Sequence, residues 1–338
     1  MPLKHILFCV SAILLLRESV KGQDIHYSQY FLNYPSQSPT HAGLYQGDHR
    51  LTANYRNQWQ TVPVPYLTLS LFYDSKFKLR SNGDYIGAGI GFDYDRAGDS
   101  ELSLTSLNTA FSYGLTLKKS HLIVVGISPS VGQRRFSEEK LRWNNQWNGD
   151  RYDPNLSPRE TFNTSGDFFF DLSAGLSYQY RLTKRSRILI GGAMYHLLQP
   201  DQSFYGLSQV KVKLPVRNLI HAGMDIGIGG YFDLILNGQL QQQEQYEEMN
   251  GVGMIRFYLN KNPGVKLNLL AGCGIRLDDS YYPLLGVEFQ NWLISGSYDI
   301  NTSAFKTASN KRGGPELALQ YIFRSVEPIG LYKKCPIY

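Results

Sequence analysis

The sequence predicts an all-β fold: a closed antiparallel transmembrane β-barrel of about 14 strands with a short N-terminal plug-like segment. Three observations carry this expectation. Long runs alternate apolar and polar residues, Tyr and Phe stand at the ends of several of those runs, and an export-type N-terminus precedes them. From Phe168 through Phe170, Leu172, Ala174, Leu176 and Tyr178 to Tyr180 every second residue is apolar, and Asp171, Ser173, Ser177 and Gln179 fill the other parity. Successive side chains of a strand point to opposite faces, so one face of this strand is greasy and the other wet.

Lys4 and His5 precede an apolar run from Ile6 to Leu16, long enough for a signal core and too short to span a bilayer. A signal peptide is therefore expected over residues 1–22, with cleavage near Gly22. Residues 23–47 are too polar for lipid and too aromatic for a free tail; a periplasmic plug that enters the lumen or lies across its mouth is expected, with a disordered leader as the alternative.

Strands then follow near 48–60, 65–75, 84–96, 102–118, 120–135, 167–182, 186–198, 213–227, 230–241, 245–260, 265–277, 281–289, 290–300 and 313–324. Soluble strands run ~5–6 residues, whereas a tilted strand crossing a bilayer needs ~9–11. These runs belong to the longer class. The barrel is thus expected over 48–324 and a periplasmic tail over 325–338. A soluble sandwich or propeller would bury the same face, but Tyr73, Tyr94, Tyr180, Tyr195, Tyr298 and Phe323 suit the aromatic girdles of a barrel in the outer membrane.

Composition narrows the function classes. Charged residues make up 18% of the chain, below the roughly 25% of soluble domains. The formal net charge of +6 gives no reason to expect a nucleic-acid partner. Cys9, Cys273 and Cys335 match no zinc spacing and cannot form a disulfide framework, so neither metal nor cofactor is expected. Cys273 shares the outward parity of Leu269 and Ile275 and should face lipid, while Cys335 is expected to be free or partner-bound.

The histidines fall in no nucleophile and base arrangement, and the pair Asp278 and Asp279 reads as a solvation or calcium feature of a loop. Gly87, Gly89 and Gly91 lie in a strand, where glycine permits curvature or close packing. No enzyme is expected.

Connection lengths orient the barrel. Even-numbered turns are mostly short and the connection from Phe136 to Gly166 is long, so even turns and both chain ends are expected on the periplasmic side. Even connections carry Lys76, Lys78, Lys118, Lys119, Lys184, Arg185 and Arg187, and odd ones hold most of the loop acids. This basic rim could dock an acidic partner or simply meet anionic headgroups of the membrane lipid. The run Arg56, Asn57, Gln58 and Trp59 could form an inward polar ladder ending in an interface Trp, or a recognition site for the N-terminal segment. Closure makes the first and last strands neighbours, so Glu316 is expected to pair with a luminal arginine such as Arg56.

The stretch Gln23, Asp24, Tyr27, Ser28, Gln29, Tyr30, Asn33, Pro39, Ala42 and Gly43 resembles the opening of the PorP/SprF family of the Bacteroidetes type IX secretion system. Arg56, Asn57, Gln58 and Trp59 resemble its first-strand motif, and Gly313, Gly314, Glu316, Leu317, Leu319, Tyr321 and Phe323, with Cys335 and Pro336, resemble its end. The chain departs from that pattern at Ser38, where Asn is expected, and near His41, where an aromatic is expected. The resemblance implies an outer-membrane component that helps secrete, or anchor at the cell surface, cargo with a C-terminal sorting domain, gliding adhesins among them. It also implies a periplasmic peptidoglycan-linked lipoprotein as a possible partner. A passive porin or small-molecule transporter is the alternative.

Overall fold

The computed structural model describes residues 24–59, 65–79, 83–98, 100–159, 166–204, 211–260 and 265–325. The expected signal peptide over 1–22 and the tail beyond Ser325, with Cys335 and Pro336, lie outside the described residues.

Fourteen antiparallel strands close in chain order, with β1 paired to β14. They are β1 (His49–Gln58), β2 (Tyr66–Lys78), β3 (Tyr85–Ala97), β4 (Leu102–Leu117), β5 (His121–Arg135), β6 (Gly166–Arg181) and β7 (Arg187–Tyr195) in the first half. The second half holds β8 (Arg217–Ile228), β9 (Phe232–Gln243), β10 (Tyr246–Asn260), β11 (Leu267–Arg276), β12 (Ser280–Phe289), β13 (Trp292–Asn301) and β14 (Arg312–Phe323). At ~3.3 Å per residue and a tilt near 40°, ten residues rise about 25 Å. That is the height of the apolar band of an outer-membrane barrel.

Faces follow the alternation. In β12, Tyr281, Leu285, Val287 and Phe289 are exposed, while Ser280, Tyr282, Leu284 and Glu288 between them are buried. Around the wall the polarity is the reverse of a soluble protein: Leu285, Leu317 and Ile294 stand outside, and Arg50, Arg56, Asp74, Arg276, Asp299 and Glu316 are almost wholly inside. No helix of the described residues is long and apolar enough to cross a membrane. With every strand paired on both sides, the backbone leaves no long unsatisfied edge to meet hydrocarbon. Cys273 is exposed on the outer face, at the expected parity.

One expectation needs correction. Tyr195 does not join the outer girdle. Its parity in β7 is that of Leu189 and Ala193, which turns it into the lumen, where its hydroxyl donates to Pro35 O at 2.7 Å. The odd connections differ in length. β9 and β10 join through Glu244 and Gln245, and β11 and β12 through Leu277, Asp278 and Asp279, with Glu244 and Asp278 in the left-handed region. The asymmetry of the two ends rests on the connections after β5, β7 and β13.

Candidate functional site: the luminal segment and the closing seam

Residues 24–48 precede β1 and run inside the barrel. Short-range chemistry shapes this stretch. Asn33 Oδ1 accepts from Ser36 N at 3.4 Å at the start of a one-turn helix, Tyr34–Gln37, and Ser38 Oγ accepts from Thr40 N at 3.3 Å at the start of the turn Pro39–His41. Pro35 and Pro39 stand in the first turns, where a missing N–H costs nothing.

The segment begins at the odd-connection end. Asp24 accepts from His196 Nε2 at 2.6 Å, and His196 Nδ1 meets Asp171 Oδ2 at 2.6 Å. Arg217 Nε lies 3.4 Å from Asp24. Burial alone would depress His196, but the two carboxylates override it and push its pKa up to about 9. Burial alone would raise Asp24, and His196 and Arg217 hold it well below the usual carboxylate range. The segment thus runs through the lumen, one of the two placements expected for it, but its N-terminal end at Asp24 lies at the odd-connection end and not with the even turns as expected; only its C-terminal end, at Asp48, lies there.

Next comes the seam where the barrel closes. Arg56 of β1 stands opposite Glu316 of β14 in register, and the two side chains approach to 3.6 Å. Glu316 accepts from Ser28 N at 2.7 Å and from Gln29 N at 2.8 Å, one bond to each oxygen. Gln29 Nε2 donates to Glu316 O at 3.1 Å, and Ser295 Oγ donates to Gln29 Oε1. Arg56 donates to Asp299 Oδ2 at 2.5 Å and to His26 O at 2.6 Å. Ser28 Oγ donates to Asp299 at 2.6 Å and accepts from Arg276 at 2.7 Å. Tyr27 OH pairs with Ser70 Oγ at 2.5 Å.

An apolar patch follows. Ile235, Val252, Met254, Leu270, Leu284 and Leu293 occupy inward positions of β9 to β13, against the polar rule of the lumen, and Tyr30 and Leu32 are buried on them with Phe31 and Tyr34 packed alongside. Tyr30 OH also donates to Asn250 O at 3.3 Å. Burying side chains of this size is worth ~1.5–3 kcal/mol each.

On the opposite wall the segment presses into glycines. A Cβ on Gly126 would lie 2.7 Å from Thr40 N and 2.8 Å from Pro39 C, one on Gly175 2.5 Å from Ser38 Oγ, and one on Gly87 2.2 Å from Ala42 O. Thr40 Oγ1 meets Ser177 Oγ at 2.6 Å. His41 packs edge-on against Tyr34 and His221 at 5.8 and 4.9 Å.

Gly43 has φ +71°, with Tyr85 and Gly87 too close for any side chain there, and its N–H donates to Asp74 at 2.7 Å. Asp74 holds Arg50 by two bonds of 2.9 Å, and that guanidinium lies 3.8 and 4.5 Å from the rings of Tyr34 and Tyr45.

Of the expected site residues, Tyr27, Gln29, Tyr30, Asn33, Pro39, Gly43, Arg56 and Glu316 meet in this luminal assembly, and Gln58 is buried on the inward face of β1. Asn57, Trp59, Gly313 and Gly314 belong to the wall. Asn57 faces outward to Tyr55 OH at 3.3 Å, because four consecutive strand residues cannot all point inward. Trp59 N donates to Gly313 O at 2.7 Å and its ring meets Tyr66 at 4.8 Å. A Cβ on Gly314 would sit 2.0 Å from Asn57 O, and one on Gly313 2.6 Å from the Asp299 Cβ. Gly314 lets β14 approach β1 at the seam, and Gly313 lets it approach β13.

Sequence reasoning did not select Asp74, Arg50, Arg276, Asp299 or His196 as a set, although charged residues at inward parity mark all but the last.

Below the segment, at the even-connection end, opens a cavity of about 760 Å³ roofed by Gln37, His41, Leu44 and Tyr45. No group of three or more metal-ligating side chains occurs among the described residues. The arrangement is built to hold a polypeptide segment through backbone amides, carboxylates and an apolar patch.

Residues 19–321 match the family described as type IX secretion system membrane protein PorP/SprF. No curated protein sequence matches the chain. Among solved structures it is similar to the CymD monoaromatic hydrocarbon channel, at 12% identity and TM-score 0.49 over 90% of this chain and 94% of that one. It is also similar to the Pseudomonas putida toluene transporter TodX, at 8% identity and TM-score 0.47 over 84% and 91%. A Pseudomonas aeruginosa FadL homologue gives 9% and 0.44 over 85% and 93%.

Proposed function

The chain belongs to the PorP/SprF family of type IX secretion system membrane proteins, and from that premise we propose that it is a non-catalytic outer-membrane anchor. In this reading it assists the secretion or surface attachment of cargo carrying a C-terminal sorting domain, adhesins among them. Membership in the family ties it to the secretion machinery; cargo and a periplasmic lipoprotein are the partners this reading adds. Even-numbered turns face the periplasm and the long connections face the cell exterior.

The observation that supports an anchor over an open pore is the luminal segment. It runs from Asp24 near one end to Asp48 at the other and is tied to the wall by Glu316, Asp299 and Asp74 along the way. A passive porin gains nothing from lodging a bonded polypeptide in its channel, whereas a docking platform gains a rigid interior that fixes the surfaces at both mouths. The test is a mild-detergent pull-down of the tagged full chain from its native outer membrane, with planar-bilayer conductance of the same preparation. Recovery of a sorting-domain protein with low conductance is expected. A large steady conductance with no co-purifying protein would establish the porin reading instead.

A further inference from the structure

The even-connection cavity carries an asymmetric ring of charge. On the arc from β7 to β12 every cation that lines the cavity among the described residues is matched: Arg187 with Asp225 at 2.7 Å, Arg185 and Arg256 with Asp233, and Arg256 and Lys266 with Glu288 at 2.9 and 2.8 Å. On the arc from β14 through β2 to β6 the balance fails. Arg324, Arg181 and Lys184 line the cavity, are exposed, and form no ion pair with a carboxylate among the described residues. Lys76 lies deeper on the same arc, with its ammonium donating to Tyr45 O at 2.5 Å and facing the rings of Tyr45 and Tyr85.

Parity decides what these cations face. Arg181 continues the inward set of Ser173, Ser177 and Gln179 on β6, and Arg324 that of Glu316, Ala318 and Gln320 on β14. Lipid headgroups ring the outside of a barrel, so anionic lipid does not account for charges aimed into the mouth. The cations are also spread out. Six strand steps separate β14 from β6, which at ~4.8 Å per step is about 29 Å along the wall. No single phosphate or carboxylate bridges that arc; an extended chain, at ~3.3 Å per residue, does. The chain's own sequence after Ser325 holds Glu327 against Lys333 and Lys334, the wrong sign to fill the site.

We infer that the even-connection mouth is a docking site for an acidic polypeptide segment of a partner protein, laid across the unpaired arc formed by Arg324, Lys76, Arg181 and Lys184. This rests on the secretion-partner reading above and names the chemistry of the partner at one mouth. Charge complementarity of this kind sets specificity and association rate and weakens with salt.

The test uses the full chain purified in detergent and a fluorescein-labelled peptide of alternating Glu and Ser, read by anisotropy. The expected result is saturable binding that falls with added salt and is weakened roughly tenfold or more in the triple variant R181Q/K184Q/R324Q. The variant K118Q/K119Q, with turn lysines at the same end but outside the cavity, should bind as the parent does. Heat-modifiable gel mobility confirms that each variant is a folded barrel. Equal binding of a Lys and Ser peptide, an undiminished triple variant, or full displacement by phosphatidylglycerol vesicles would overturn the inference. Loss of peptide binding in the parent while the native pull-down still recovers sorting-domain cargo would sink this site and leave the anchor reading standing.

Discussion

Replacing Glu316 with Gln isolates the contact on which docking of the luminal segment turns. The carboxylate accepts two backbone N–H groups at 2.7 and 2.8 Å, from Ser28 and Gln29, and lies 3.6 Å from the Arg56 guanidinium. Gln keeps the shape and one acceptor oxygen, but its NH2 faces the second N–H and leaves that buried donor unsatisfied, at ~1–3 kcal/mol. Arg56 keeps Asp299 at 2.5 Å and loses its second counter-charge. A neutral side chain does relieve the desolvation of a buried carboxylate. That relief loses here because the guanidinium and both amides stay buried, and breaking one side of a buried network is destabilising.

A docking loss of about 3 kcal/mol results, which at 1.4 kcal/mol per decade is roughly a hundredfold in the released population. Hydrogen exchange of the folded protein in detergent measures it. Protection of the Ser28 and Gln29 amides should fall by about two decades while the strand amides of β4 and β5 hold. Unchanged protection at Ser28 and Gln29 would refute the argument that Glu316 holds them.

Further outcomes follow from the same assembly. Gly87→Ala puts a methyl 2.2 Å from Ala42 O; overpacking costs ~1–3 kcal/mol, so protease should cut within residues 38–45 faster while gel mobility of the barrel is unchanged. Docking of the segment should also peak in a pH window. His196 is raised to about 9 in the folded protein, so its contribution is complete below its unfolded value of ~6.5 and is lost as pH climbs through 9. His41 is depressed by burial and by His221 and Arg50, so its neutral form is favoured and docking weakens as pH falls below ~6.5. Exchange at Ser28 measured across pH, corrected for intrinsic rates, should show both limbs, and His196→Asn should remove the alkaline one. Finally, deleting residues 24–45 should raise single-channel conductance in planar bilayers; an unaltered trace would show that the segment does not obstruct the lumen.

How much of this was readable in advance divides along a physical line. Alternation assigns a face to every strand residue, and closure makes β1 and β14 neighbours, so the strand count and the approach of Arg56 to Glu316 were legible. Alternation also mispredicts where a run is weak: Gly191 and Gly192 blur the period of β7 and left Tyr195 on the wrong face. The luminal segment has no period, and its contacts join residues far apart in sequence, Ser28 with Glu316 and Thr40 with Ser177. Its need to pack was visible in its aromatics, but its direction and its partners were not.

Two signals in the sequence point to the cover, and only the close packing allowed by Gly87 enters the sequence reading above. Apolar residues at wet parity, Ile235, Met254, Leu270 and Leu293, required a luminal cover. Inward glycines on β3, β5 and β6 marked where a chain presses on the wall. The resemblance of Asn57, Trp59, Gly313 and Gly314 to family positions described the seam and carried no information about which side chains reach the segment.

The central claim is that residues 24–45 are lodged inside the closed barrel against both walls. Thr40 Oγ1 and Ser177 Oγ lie 2.6 Å apart, so the pair Thr40→Cys and Ser177→Cys, made with Cys9, Cys273 and Cys335 replaced by Ser, measures it in native membranes. Mass spectrometry after mild oxidation should find the two new thiols joined in nearly every copy; two free thiols in a heat-modifiable barrel would contradict the account.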